Sequence, residues 1–257
     1  MKLIKREFYC EPLQRDVRLY IGLPKTYDLS NRRYPVLYMQ DGHNVFLKED
    51  SFIGHTWQML EMYDKHPNLK EIIVVAMDAS SKENGRLYEY SPFVFNLKDS
   101  DFDGCGGGGD VYLDYLVNHL KPSIDSEFRT LSEQKHTAIM GSSLGGFISI
   151  YAGLKYPKTF GKLASLSGSF FVALKEMLES IELADMSNID LIYMDSGDQE
   201  VAGGDSIDYL KSNEIIMKKL VKKIGEDKVV YKVIKGGKHS EVDWSKRLRP
   251  IIQTLFD

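Results

Sequence analysis

Gly141, Ser143 and Gly145 form the pattern G-x-S-x-G, and their setting gives the serine a chemical use. The run Thr137 to Met140 before them is short, apolar and free of charge, as a buried strand is. After them Phe147, Ile150, Tyr151 and Leu154 recur at helical spacing until Pro157 closes the segment. A strand that turns sharply into a helix pushes the side chain at its apex into the open, so Ser143 is placed as a nucleophile. Such a turn is crowded, and glycines at 141 and 145 are expected because Cβ atoms there would collide with neighbouring backbone. The NH of Leu144, opening the new helix, is directed at the place where a tetrahedral oxyanion would form.

A serine hydroxyl needs a base, and histidine titrates in the useful range. Of the six histidines, His239 lies in Lys235-Gly-Gly-Lys-His-Ser-Glu241, a loop that directly follows an apolar strand and comes after the serine. His66, His119 and His136 sit in polar or helical surroundings, and His43 and His55 precede the serine. The acid that orients the imidazole should lie between the two, on a loop after a strand, since α/β-hydrolases run in the order serine, acid, histidine. Tyr193-Met-Asp195-Ser-Gly197-Asp198-Gln-Glu200 offers three carboxylates. Glu200 is the first choice, Asp198 the alternative, and Asp195 and Asp205 have weaker claims. The second oxyanion donor is expected from the loop after an early strand, where Gln40-Asp-Gly42-His43 offers a backbone NH from Gly42 or His43.

The elements that must carry these residues can be read from periodicity. Val17, Leu19 and Ile21 alternate with polar or amphipathic neighbours and are expected to pair with Leu3 to Tyr9 as an antiparallel edge. Apolar strands follow at 34–39, 71–77, 137–140, 162–167, 190–195 and 228–234, separated by helical segments near 173–183 and 209–224. The segment 111–128 is helical in its first part, with Pro122 set to break or kink it. Alternating βα units predict a mostly parallel sheet with helices on both faces. The length of 257 residues suits one domain over 1–257.

A net charge of -4 and the absence of a dense Lys/Arg cluster argue against a nucleic-acid or membrane partner, leaving a small molecule. No signal-peptide core or run approaching about 18 apolar residues appears, so a cytoplasmic location is expected. Cys10 and Cys105 have no metal or disulfide spacing, and no cofactor or metal is expected. The glycine run 104–109 lacks the Gly-Lys-Ser/Thr of a phosphate loop and is expected to form a mobile loop beside the pocket. Trp57, Tyr90, Phe170, Phe171 and Trp244 are candidates for an aromatic substrate pocket.

The chain resembles the esterase D or putative esterase family of α/β-hydrolases over nearly its whole length. The carriers are Tyr38-Met-Gln-Asp-Gly-His-Asn-Val-Phe46, Arg86-Leu-Tyr-Glu-Tyr-Ser-Pro92, the segment from Leu120 through Thr130, Gly141 to Gly146, Tyr156-Pro157, and Gly236 to Glu241 with Trp244. The resemblance implies an α/β-hydrolase fold and a serine carboxylesterase that hydrolyses small acyl or aryl esters through an acyl-enzyme. It favours Glu200 over Asp198 as the acid. Arg86 and Glu89 resemble an Arg-x-x-Glu feature near the active site of the siderophore-esterase branch; a structural ion pair holding the loop is the other reading. Ser142 stands where the elbow of many relatives has histidine, which weakens the link to S-formylglutathione hydrolases. Trilactone siderophore hydrolysis and acyl transfer are alternatives on the same triad, and a non-catalytic binding scaffold is a third.

Overall fold

The computed structural model describes residues 1–98, 100–200 and 206–257. Its strands are β1 (Lys2–Cys10), β2 (Arg15–Leu23), β3 (Val36–Met39), β4 (Ile73–Met77), β5 (Thr137–Ser142), β6 (Lys162–Leu166), β7 (Leu191–Gly197) and β8 (Val229–Ile234). They form one sheet in the order β1-β2-β4-β3-β5-β6-β7-β8. The first two pairings are antiparallel and all the others parallel. The helices are α1 (Met59–Lys65), α2 (Gly85–Glu89), α3 (Gly109–Tyr115), α4 (Lys121–Glu127), α5 (Leu144–Lys155), α6 (Leu174–Leu183), α7 (Ser206–Ile224) and α8 (Glu241–Phe256). This is the α/β-hydrolase architecture, with the antiparallel edge supplied by the amino-terminal hairpin.

Burial along the strands explains the order. β3, β4 and β5 are buried at every residue and occupy the middle, whereas β1 and β8 include exposed positions and lie at the edges. Because successive side chains face opposite ways, the central strands feed two cores. Val36, Tyr38, Val75 and Ile139 pack with α3 to α7, through residues such as Tyr112, Phe147, Met177 and Leu220. Leu37, Met39, Val74 and Met140 pack with α1 and α8, through Met59, Met62, Leu248 and Ile252. Each fully buried Leu, Ile or Phe in these layers contributes about 1.5–3 kcal/mol relative to exposure.

Pro122 does not end its helix. Helical backbone continues from α3 into α4 through a π-helical turn at Leu116–Leu120, and Pro122 lies in the first turn of α4. The wider turn accommodates a ring that can donate no NH to the preceding turn. The glycine run also differs from expectation: Gly107 and Gly109 donate to the Ser91 carbonyl at 2.9 Å and Phe95 to that of Cys105 at 2.7 Å. Those bonds stitch it to the 88–95 segment, and it borders a separate hollow with Tyr88 and Glu89. Cys10 and Cys105 are both free thiols. Among the described residues no helix is long and apolar enough to cross a membrane.

Candidate active site

Ser143 joins the end of β5 to the start of α5 with φ 56° and ψ -127°, a strained backbone for a residue with a side chain. The strain is held from both sides. Its NH donates to the Leu166 carbonyl at 2.9 Å, and its carbonyl accepts from Ser169 at 3.2 Å and Phe147 at 3.1 Å. A Cβ at Gly141 would lie 2.5 Å from the Gly145 backbone. At Gly145 the obstacle is instead the Gln40 side chain at 3.0 Å, so the second glycine makes room for the neighbouring strand's side chain and not for backbone. Leu144 is the first residue of α5, so its NH has no partner within the helix and adds to the positive end of the helix dipole.

His239 lies between β8 and α8, whose first turn is capped by Ser240 accepting from the Asp243 NH. The imidazole is wedged between the Tyr209 ring, centroids 4.4 Å apart, and the Trp244 ring at 4.8 Å. Its Nδ1 lies 3.3 Å from Glu200 Oε2. Glu200 is fully buried, and its other oxygen accepts from the Gly197 NH at 2.5 Å and from the Ser167 hydroxyl. Ser167 in turn accepts from Trp244 Nε1 at 2.9 Å. A carboxylate so supplied with donors stays oriented toward the imidazole.

The other acids are used elsewhere. Asp198 accepts from the Gly236 NH at 2.6 Å, tying the turn after β7 to the histidine loop. Asp195 is buried against Arg247 at 2.6 Å and Tyr193, and burial raises its carboxyl to about 6. Asp205 lies outside the described residues. His55 approaches Ser245 at 3.3 Å.

At the end of β3, Asp41 adopts the left-handed conformation (φ 53°, ψ 51°) and Gly42–Asn44 make one tight turn. A Cβ at Gly42 would sit 2.7 Å from the Ala76 and Met77 backbone, so only glycine lets the turn lie this close to β4. The Asn44 NH closes the turn on the Asp41 carbonyl at 2.8 Å. Gly42 and His43 open the turn, so no earlier carbonyl within it accepts their NH groups.

Ser143, His239, Arg86, His43 and Trp244 line one cleft of about 380 Å³ with Asp41 and Glu241. Phe52, 83% exposed, and Ile53 form its apolar rim. Burial lowers the affinity of His43 for a proton below the ordinary histidine value. The cleft opens at the carboxyl ends of β3, β5 and β8, where ligand sites of such sheets lie. A larger hollow of about 1000 Å³ near Tyr34, Lys162 and Asp190 opens at the amino ends of strands, away from these groups.

Several sequence-predicted pocket residues sit elsewhere. Trp57 is buried and stacks behind Trp244 at 6.2 Å, and Phe170 is buried against Phe147. Tyr90 is fully buried under the turn after β3, accepting from the Asp41 NH at 2.8 Å. Phe171 packs on Tyr209 at 4.8 Å. Arg86 and Glu89 are not paired with each other: Arg86 forks onto Asp41, and Glu89 is buried against Arg15 at 2.6 Å. Trp57, Tyr90 and Phe170 are buried and Phe171 is half-buried, a placement that spacing alone does not specify.

Sequence reasoning missed Ser169, whose Oγ lies 3.0 Å from Ser143 Oγ, and Ser167, which holds Glu200. Both belong to Ser165-Leu-Ser167-Gly-Ser169, at and just beyond the carboxyl end of β6, which the structure pairs in parallel with β5; their place after an apolar strand was the available signal. Tyr209 and the rim pair Phe52 and Ile53 carried no such signal. Among the described residues no three His, Cys, Asp or Glu side chains cluster as a metal site would require.

The family model described as Putative esterase matches residues 10–255. An uncharacterized protein of Bacillus subtilis, YbbA, is 27% identical over 243 residues, covering 93% of this chain and 92% of that one. The endo-1,4-beta-xylanase/feruloyl esterase of Xylanibacter ruminicola is 24% identical over 94% of this chain, which spans 29% of that longer protein. Among solved structures, an IroE-like serine hydrolase from Shewanella oneidensis superposes with a TM-score of 0.78 at 23% identity, over 99% of this chain and 80% of that one.

Proposed function

The chain belongs to the Putative esterase family, and from that premise we propose that it is a serine carboxylesterase acting on small acyl or aryl esters through an acyl-enzyme. The observation that carries the reading is the convergence of a strained, accessible Ser143 with His239, whose Nδ1 faces the buried Glu200 in the same cleft. Glu200 keeps the Nδ1 proton in place, so Nε2 is the nitrogen available to take the Ser143 proton. Ser143 Oγ then attacks the ester carbonyl, and the NH groups of Leu144 and of Gly42 or His43 receive the oxyanion. His239 returns the proton to the leaving alcohol, and a water activated the same way releases the acid. The resting hydroxyl bonds to Ser169, so the Ser143 to His239 bond forms on rotation of the side chain when substrate enters.

Ser143→Ala should leave thermal unfolding unchanged and lower p-nitrophenyl acetate turnover by at least about a thousandfold. A fluorophosphonate probe should label the parent protein and not the variant. Equal turnover by both proteins sinks the reading. A panel of acetylated sugars, hydroxycinnamoyl esters and siderophore lactones, run with and without acceptor alcohols, assigns the ester and separates hydrolysis from acyl transfer.

A further inference from the structure

Asp41 is a residue with a side chain in the left-handed region, placed immediately before Gly42 and His43, either of whose NH groups is the proposed second oxyanion donor. Three contacts hold it there. Its NH donates to the Tyr90 hydroxyl at 2.8 Å, its carbonyl accepts from Asn44 at 2.8 Å, and both carboxylate oxygens are gripped by Arg86. The grip is a parallel fork, Nε to Oδ1 at 2.7 Å and Nη2 to Oδ2 at 2.8 Å. The guanidinium also lies 5.0 Å from the centre of the Tyr90 ring.

Arg86 is itself anchored. It sits in α2, a five-residue helix, and Glu89 in the same helix forks onto Arg15 of β2 at 2.6 and 3.0 Å while accepting from the Ser80 NH at 3.0 Å. Arg15 also binds Asp78 at 3.0 Å, just beyond β4. The Arg-x-x-Glu spacing therefore serves two bonds in two directions. Glu89 fastens α2 to the antiparallel edge of the sheet, and Arg86 reaches from α2 to the turn after β3.

Resting on the esterase reading, we propose that Arg86 is a positioning residue that holds the Asp41 peptide left-handed, so that the NH group of Gly42 or His43 converges with that of Leu144 on the oxyanion. Two of its nitrogens are committed to Asp41, which makes the fork itself, and not a free charge, the working feature. Lysine supplies the charge without the fork. Loosening the turn displaces a donor needed most in the transition state, so the loss falls on kcat and not on KM.

The test compares Arg86→Gln and Arg86→Lys with the parent on p-nitrophenyl acetate, together with inhibition by an aryl trifluoromethyl ketone, whose adduct with serine carries the oxyanion. For Arg86→Gln the expected fall in kcat is about 10- to 100-fold with KM within about twofold. The ketone should weaken by the same factor as kcat/KM, and the pH midpoint of kcat/KM should not move. Arg86→Lys should lose about tenfold in kcat, and it is read alone if Arg86→Gln does not fold. A loss confined to KM overturns the proposal in favour of substrate binding by Arg86. Parent-like kcat in Arg86→Lys, or ketone affinity that does not follow kcat/KM, also overturns it. Failure of the serine reading shows separately, as undiminished turnover by Ser143→Ala.

Discussion

Glu200→Gln tests the site most sharply because the structure decides which way the new amide must point. Among the described residues, Glu200 Oε1 accepts two donors, the Gly197 NH and the Ser167 hydroxyl, whereas Oε2 meets His239 Nδ1 at 3.3 Å and no other donor. A glutamine keeps its carbonyl oxygen where two donors converge and turns its NH2 toward the imidazole. Nδ1 must then accept, the proton moves to Nε2, and the nitrogen facing the nucleophile is no longer a base. An amide in this position of a Ser-His-acid triad costs about 10⁴ in kcat. Here we expect a loss of about 10³ to 10⁴, equivalent to about 4–5 kcal/mol of transition-state stabilisation. The hydrogen bonds to Gly197 and Ser167 survive, so the melting temperature should fall only slightly. The assay is steady-state p-nitrophenyl acetate hydrolysis beside a thermal melt. Asp198→Asn serves as the control, since among the described residues the Asp198 side chain binds the Gly236 NH and not His239, and it should stay within about threefold of the parent. Glu200→Gln within tenfold of the parent, or a larger loss in Asp198→Asn, would refute the assignment of the acid.

Two further outcomes follow from the turn after β3. Gly42→Ala drives a methyl to 2.7 Å from the Ala76 and Met77 backbone, so we expect a loss of about 1–3 kcal/mol in urea unfolding together with at least a tenfold fall in kcat; parent-like values for both would show that the turn yields freely. His43 is held below the ordinary histidine value of 6.5, first by burial and also by Arg86 and Arg18, against the pull of Asp41 and Asp78. The folded state then binds fewer protons than the unfolded chain, so the stability tied to a neutral His43 is present above 6.5 and is lost as pH falls through and below it. His43→Gln should flatten that decline in urea titrations run between about pH 7 and pH 5, and an unchanged slope contradicts the argument.

The strands, the helices and the elbow were legible in the chain because their signals are local. Alternation in 17–21, apolar runs at 73–77 and 137–140, and helical spacing after Ser143 each occupy fewer than about 20 neighbouring residues. Chain order and loop position likewise picked out His239 and favoured Glu200, which the fold brings to 3.3 Å of each other. Pro122 shows the limit of a local rule, since packing preserved a helix that the residue itself disfavours.

Tertiary structure alone decided which side chains meet across the sheet. Arg86 and Glu89 are three residues apart, yet they bind partners 45 and 74 positions away. No periodicity encodes such a choice, because it depends on where β2, β3 and α2 come to rest after packing. The same holds for Trp57, Tyr90 and Phe170, whose type suits a pocket and a core equally and which the two-sided burial of the sheet assigned to the core. Ser169 reached Ser143 because β6 runs parallel beside β5, so that the carboxyl ends of both strands lie together. The sequence by itself thus singled out the candidate site residues and the elements that carry them. Their supporting contacts came from packing, because free energy there is won between distant segments and leaves no mark on any one of them.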